Sequence, residues 1–177
     1  MTPSGPHRSR LEWRLMAVEL ALGRAPVENE VGSLPPSLIG AVEAVRTADL
    51  PRLDAVIREN GGFYVEIGIY NVMMVARGHV MLLMVMKFYL HTCSQSQARS
   101  EGVRSWVDRL EVAKMIKFYH LPYRTVAEAT VVWLLPLLVN RKINGFVEGE
   151  YLHINPENPF DGYNKALFET ALETYED

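Results

Sequence analysis

The sequence predicts a mainly α-helical fold, a stack of short helices that closes on a small two-stranded wing. Three observations carry this reading. Apolar residues before position 92 recur at spacings of three and four, the signature of one helix face. Gly, Pro and capping residues punctuate that stretch at short intervals. After Asn140 the pattern changes to short apolar runs on either side of Gly149, as strands around a turn require.

The first element is a helix over 10–22. Ser9 stands at its N-cap, and Leu11, Leu15, Val18 and Leu22 share one face. Residues 1–9 are polar, lack the apolar core of a secretory signal and are expected to be disordered. Gly23 ends the helix as a C-cap glycine does. A loop marked by Pro26, Pro35 and Pro36 follows. Ser37 then caps a helix carrying Leu38, Ala41, Val42 and Val45 on one face. Thr47-Ala48-Asp49 is a turn, with Asp49 as N-cap and Pro51 early in the next helix, where its missing N–H is tolerated. That helix is expected to stop at Asn60-Gly61-Gly62. Tyr64–Leu90 reads as one or two longer buried helices. The run Val80–Leu90 contains Lys87 and is flanked by Arg77, His79 and His91, too short for the roughly 20 apolar residues that span a bilayer. Met73, Met74, Met81, Met84 and Met86 read as core filling.

Residues 93–105 are polar and read as a loop. A helix resumes at Trp106 with an inner stripe of Val112, Met115, Ile116 and Tyr119, which leaves Trp106, Val107, Leu110 and Phe118 outside it. The next helix, Thr125–Asn140, aligns Val126, Ala129, Trp133 and Leu137, and Pro136 should kink or end it. Ile143, Phe146 and Val147 precede a turn at Glu148–Glu150, and Tyr151, Leu152 and Ile154 follow. Helix, helix and hairpin is the order of a winged helix. The domain reading is a helical-repeat (TPR-like) part over 10–92, a loop at 93–105, a winged helix over 106–160, and an acidic helix or tail over 161–177, where five acids accompany one lysine.

Four stretches resemble the PCI-domain family, found in the proteasome lid, the signalosome, an initiation factor and the nuclear complex that couples transcription to mRNA export. Arg14–Pro26 (RLMAVELALGRAP) looks like that last branch's helix ending in a Leu-Gly turn. Ala41–Asp54 (AVEAVRTADLPRLD) looks like its A-V-R-x-G-D-L-x-x-x-D helix-turn-helix, with Ala48 where glycine is usual. Phe63–Tyr70 (FYVEIGIY) looks like its FFIRRGIY segment. Ile143–Phe160 (INGFVEGEYLHINPENPF) looks like its wing, and Asn158-Pro159-Phe160 favours the export branch and its signalosome-associated relative. The resemblance implies a PCI domain in a nuclear, non-catalytic scaffold subunit. The partners it implies are a large helical GANP-type scaffold protein and a small acidic Sem/DSS-type peptide, with RNA or DNA as a further ligand and no membrane.

Composition narrows the chemistry. Hydrophobic residues make up 49% and charged residues 22%, which excludes a wholly disordered chain. The formal net charge of −3 means that nucleic acid would need a local basic patch. Cys93 stands alone and has no intrachain disulfide partner. His7, His79, His91, His120 and His153 complete no metal motif. No P-loop is present, and His91 near Cys93 lacks an orienting acid. No catalytic residue or cofactor is expected. The candidate nucleic-acid contacts are Lys114, Lys117, Arg124, Arg141 and Lys142, against the alternative of a solvated face. The candidate partner contacts are Tyr119, Tyr123, Tyr151 and His153. Tyr151 and His153 lie on a wing strand expected to form a free sheet edge. Trp106 and Trp133 are further anchors, against the alternative of core packing. The readings that compete with an export-type scaffold are a proteasome-lid or signalosome-type subunit and a stand-alone winged-helix protein on nucleic acid.

Overall fold

The computed structural model describes residues 6–24, 34–99 and 107–161. It is mainly helical, with one three-stranded antiparallel sheet. The chain divides into two compact units, Met1–Leu83 and Met84–Asp177.

The first unit holds α1 (Pro6–Ala21), α2 (Pro36–Thr47), α3 (Leu50–Glu66) and the start of α4 (Tyr70–Arg99). In α1 the helix begins at Pro6, so Ser9 lies inside it and caps nothing. Its buried face is Ala17 and Leu20, while Leu11, Leu15, Val18 and Leu22 are 44–60% exposed. Periodicity had found a face of this helix, but a helix apolar on two sides does not say which one is inside.

In α2, Pro35 occupies the N-cap and Pro36 the first turn, so Ser37 is not the cap. Proline's fixed φ starts the helix without a side-chain acceptor. The face Leu38, Ala41, Val42 and Val45 is buried as the spacing requires. The helix ends at Ala48, a buried alanine in the left-handed region at φ 55°. Asp49 then caps α3, its carboxylate accepting from the Arg52 N–H at 2.9 Å.

The helix α3 does not stop at Asn60-Gly61-Gly62 but runs on to Glu66. Each mid-helix glycine costs about 1 kcal/mol relative to alanine. The residues that follow offset that cost by packing. Tyr64 is fully buried, and its hydroxyl donates to the Ser37 carbonyl at 2.9 Å. The Phe63 ring meets Trp13 of α1 at 5.8 Å. Burial pushes the Tyr64 phenol up to about 12. The break comes at Gly68, φ 74°. There the Arg14 Nε donates to the Ile67 carbonyl at 2.9 Å, and Arg77 grips Asp54 with two bonds of 2.6 and 3.0 Å.

The helix α4 is 30 residues long and continues through Cys93–Arg99, where the polar sequence predicted a loop. Serine and glutamine do not break a helix whose apolar positions still find a core, and Cys93 is buried. Tyr70–Ser96 is also long and apolar enough to cross a membrane, and half of its most apolar window is buried within the protein. Met73, Met81 and Met84 are buried, but Met74 is 42% exposed and is not core.

The second unit continues α4 from Met84 and adds β1 (Arg109–Glu111), α5 (Val112–Phe118), α6 (Val126–Val139), β2 (Gly145–Glu148) and β3 (Tyr151–Ile154). The helix predicted from Trp106 begins at Val112, and the residues before it form β1. Trp106 itself lies outside the described residues. Its short strand pairs with β3 through Leu110 and Leu152, both buried. The sheet order is β1-β3-β2. Val112 and Met115 are buried and Ile116 and Tyr119 half-buried, which is the predicted stripe.

The helix α6 consists of α-helical Val126–Ala129, a π-helical turn Thr130–Leu134, and α-helical Leu135–Val139. Thr125 caps it, accepting from the Glu128 N–H at 3.1 Å. Pro136 does not end it. The wider π turn lets the Leu135 N–H reach the Thr130 carbonyl, and the α-helix restarts with proline in its first turn. Of the predicted face, Ala129, Trp133 and Leu137 are buried and Val126 is half-buried.

The hairpin turns at Gly149 (φ 59°) and Glu150, with the positive φ at the first central residue. The Asn155–Phe160 segment folds back on the unit. Asn144 donates from its backbone to Pro159 at 2.9 Å and from its side chain to Asn158 at 2.8 Å. Phe160 is buried edge-on to Tyr89, at 5.6 Å. The helix predicted over Tyr163–Tyr175 lies outside the described residues.

Candidate functional site

A groove of about 810 Å³ lies in the second unit, walled by the end of α4, β1, α5 and Tyr151. Its chemistry follows from the short helix α5. Val112 and Met115 anchor one face in the core, so Lys114 and Lys117, one turn apart, stand exposed on the other. Lys114 pairs with Glu111 at 2.7 Å. Lys117 forms no ion pair among the described residues. Phe118 follows, 47% exposed. It lies edge-on to Phe88 at 5.4 Å and close to the His91 ring at 5.1 Å. From the sheet side, the Arg109 guanidinium sits 5.3 Å above the Tyr151 ring. The groove therefore mixes three cations and exposed aromatic faces, and among the described residues Glu111 is its one acidic lining residue.

The nucleic-acid and partner candidates are redistributed by this geometry. Lys114, Lys117 and Tyr151 meet in the groove, although the sequence had assigned them to different roles. Arg124 is exposed at the start of α6, away from the groove lining. Arg141, at φ 55°, and Lys142 lie in the connection to β2, where Lys142 pairs with Asp161 at 2.7 Å. The five cations do not line one cavity.

Tyr119 is an internal strut, its hydroxyl donating to the Met84 carbonyl at 2.7 Å. Tyr123 stacks on Trp133 at 6.5 Å, and Trp133 is fully buried. Both tyrosines take part in packing within the unit. Tyr151 and His153 do not form a free edge, because β3 is the central strand. The sequence had only two strands to order, and an unforeseen third strand covered the edge. His153 instead lies on the outer face of the sheet, stacked on Phe146 at 4.8 Å and 3.8 Å from Glu148.

Sequence reasoning missed Arg109, Phe88, His91 and Phe118 as groove residues. Arg109 was hidden because its segment read as helix. Phe118 carried a signal: it fell outside the inner stripe, as an exposed aromatic would. Cys93, by contrast, is buried. Burial pushes its thiol up, against a backbone bond from Val107 and the Tyr89 hydroxyl, which makes it a poor nucleophile. Among the described residues no cluster of three or more His, Cys, Asp or Glu could hold a metal ion.

A second surface belongs to α6. Val131, Val132, Leu135 and Val139 are 45–71% exposed. Between Thr125 and Asn140 the sole charge is Glu128. This helix presents aliphatic surface without a cation. No protein-family model matches the chain and no curated protein matches it in sequence, so the functional reading rests on the residues and their geometry.

Proposed function

We propose that the chain is a non-catalytic scaffold subunit of PCI type, a helical stack leading into a winged helix, which docks protein partners through the second unit. The reading is supported by element order. A helix from Met84, then β1, α5, α6 and the β2–β3 hairpin, with sheet order β1-β3-β2, is the order of a winged helix. The observation that carries the choice of ligand is α6. In a winged helix the last helix before the hairpin is the reading helix, and reading DNA takes basic and polar side chains on it. Here it offers exposed valines and a leucine, the chemistry of a protein interface core. The four resembling stretches favour a nuclear, mRNA-export-type complex, with a large helical scaffold and a small acidic peptide as partners.

The groove favours a second activity in the same unit. Exposed aromatics beside Arg109, Lys114 and Lys117 suit single-stranded nucleic acid, whose bases stack and whose phosphates pair. The test is a pull-down from native extract with the tagged full chain and with its Leu135→Asp variant, read by mass spectrometry. Recovery of a large helical protein with a small acidic one by the parent, and their loss from Leu135→Asp, is the expected result. Lid or signalosome subunits in their place would move the chain to another PCI assembly. Nucleic acid without a stoichiometric protein would overturn the scaffold reading.

A further inference from the structure

The face of α1 that points away from its own core needs a partner of defined chemistry, and we infer that the partner is α1 of a second copy of this chain, aligned parallel and in register. The helix is apolar on two opposite sides. Ala17 and Leu20 are buried in the first unit, while Leu11, Leu15, Val18 and Leu22 are 44–60% exposed along the far side. Their spacing of four, three and four is the d-a-d-a order of a heptad seam, and Leu22 still donates to the Val18 carbonyl at 3.0 Å, so the seam stays helical to its last residue. Isolated, exposed apolar residues need no explanation; four in one register do.

The flanks of the seam specify the partner. Glu12 and Glu19 both fall at e positions, on one side. Arg14 falls at g, on the other. Two copies packed antiparallel would set the acidic flank of each against the acidic flank of the other. Packed parallel, each acidic flank meets the basic one, and Arg14 of one copy comes opposite Glu19 of the other, twice by symmetry. The side chains are placed for this. The Arg14 Nε is held by the Ile67 carbonyl at 2.9 Å, which fixes the guanidinium at the edge of the seam with its Nη groups left over. Glu19 has a single long contact, to Arg24 at 3.7 Å, and both are well exposed. The helix is already formed by its own unit, so pairing does not bear the nucleation cost that keeps short isolated helices from associating.

Sedimentation of the full chain over a concentration series tests the inference. The expected result is a reversible species of twice the 20.1 kDa chain mass. Leu15→Asp should reduce it to monomer while leaving the folded helical content of the parent, because Leu15 is 59% exposed. Glu19→Lys, a surface change that leaves the apolar seam intact, should weaken the pairing at low salt. Val18→Cys should crosslink to itself on oxidation, with Cys93 buried and silent. A chain monomeric throughout overturns the inference. So does a dimer indifferent to both Leu15→Asp and Glu19→Lys. Crosslinking of Leu11→Cys to Leu22→Cys, with Val18→Cys unreactive, would mean an antiparallel pair and also overturn it.

Discussion

Gly145 is the position at which the smallest chemical change should do the most damage. It opens β2, opposite Ile154 of β3. A methyl group on its Cα would lie 1.9 Å from the His153 carbonyl oxygen, 3.0 Å from its carbon and 3.2 Å from the Ile154 Cα. All three are backbone atoms, and none can swing aside as a side chain would. Carbon and oxygen approach to about 3.3 Å at closest, so the strands must part by more than 1 Å at this point. Parting β2 from β3 loosens the ladder that holds His153 and Tyr151 in place. Overpacking of this kind costs 1–3 kcal/mol, and we expect the upper end, about 3 kcal/mol, because a backbone pair cannot repack. For a chain of this size that is a fall of roughly 6–12 °C in melting temperature. Gly149→Ala is the control. It has φ 59° but nothing within 4 Å of the added atom, so it bears only the left-handed strain of about 1–2 kcal/mol. Thermal melts followed by circular dichroism compare the two. If Gly145→Ala costs no more than Gly149→Ala, the register of β2 on β3 is wrong.

Three further outcomes follow from the same reasoning. Gly62→Ala should stabilise by about 1 kcal/mol, since α3 runs through this exposed position and nothing lies near the added methyl; a loss in denaturant midpoint would restore the helix break that the sequence suggested. The buried Tyr64 phenol holds its proton up to about pH 12, whereas the unfolded chain releases it near 10, so stability should be whole below pH 10 and fall by roughly 2–3 kcal/mol as the pH rises to 12. In Tyr64→Phe that alkaline fall should be smaller by the same amount, and an unchanged fall would mean the phenol is not buried. Lys117→Glu should weaken binding of a single-stranded oligonucleotide and flatten its salt dependence by about one counterion, while Arg124→Glu, outside the groove, should leave both unchanged. Equal effects of the two in a fluorescence titration would dissolve the groove into general surface charge.

How far the sequence led depended on whether one level of structure decided each element. The cap at Asp49 and the turn at Gly149 were legible because a single residue type settles them locally. The buried face of α2 was legible because Leu38, Ala41, Val42 and Val45 form its one long apolar stripe. The polar end of α4 and the glycines of α3 misled, because tertiary packing of Cys93 and Tyr64 outweighed local propensity. The strand β1 was not legible. Three residues carry too little periodicity, and what makes Arg109–Glu111 a strand is the prior existence of β3. The candidate site inherited that gap. Once β1 is in place, β3 is central, the supposed free edge disappears, and Arg109 comes over Tyr151 to complete the groove. A site assembled by a long-range strand pair could not have been listed from spacing.

The distribution of charge over the second unit separates two kinds of ligand. A winged helix that grips duplex DNA needs cations on its reading helix and at its hairpin tip, since the duplex carries one negative charge per about 1.7 Å of its axis. In this chain α6 has Glu128 as its sole charge. The tip of the hairpin is Glu148-Gly149-Glu150, all exposed. Both surfaces by which such a domain would straddle a duplex are therefore neutral or acidic, and the cations of Arg109, Lys114 and Lys117 are gathered in the groove with Phe118 and Tyr151. A duplex is too wide and too stiff to lay its bases on those rings. On the proposed reading a single strand does, its phosphates meeting the three cations of the groove. On the same reading the apolar face of α6 is left to a protein. The two surfaces predict independent losses: Leu135→Asp should release the protein partner and spare the oligonucleotide, and Lys117→Glu should do the reverse. A variant on one surface that abolished both would mean that the two ligands share a single site.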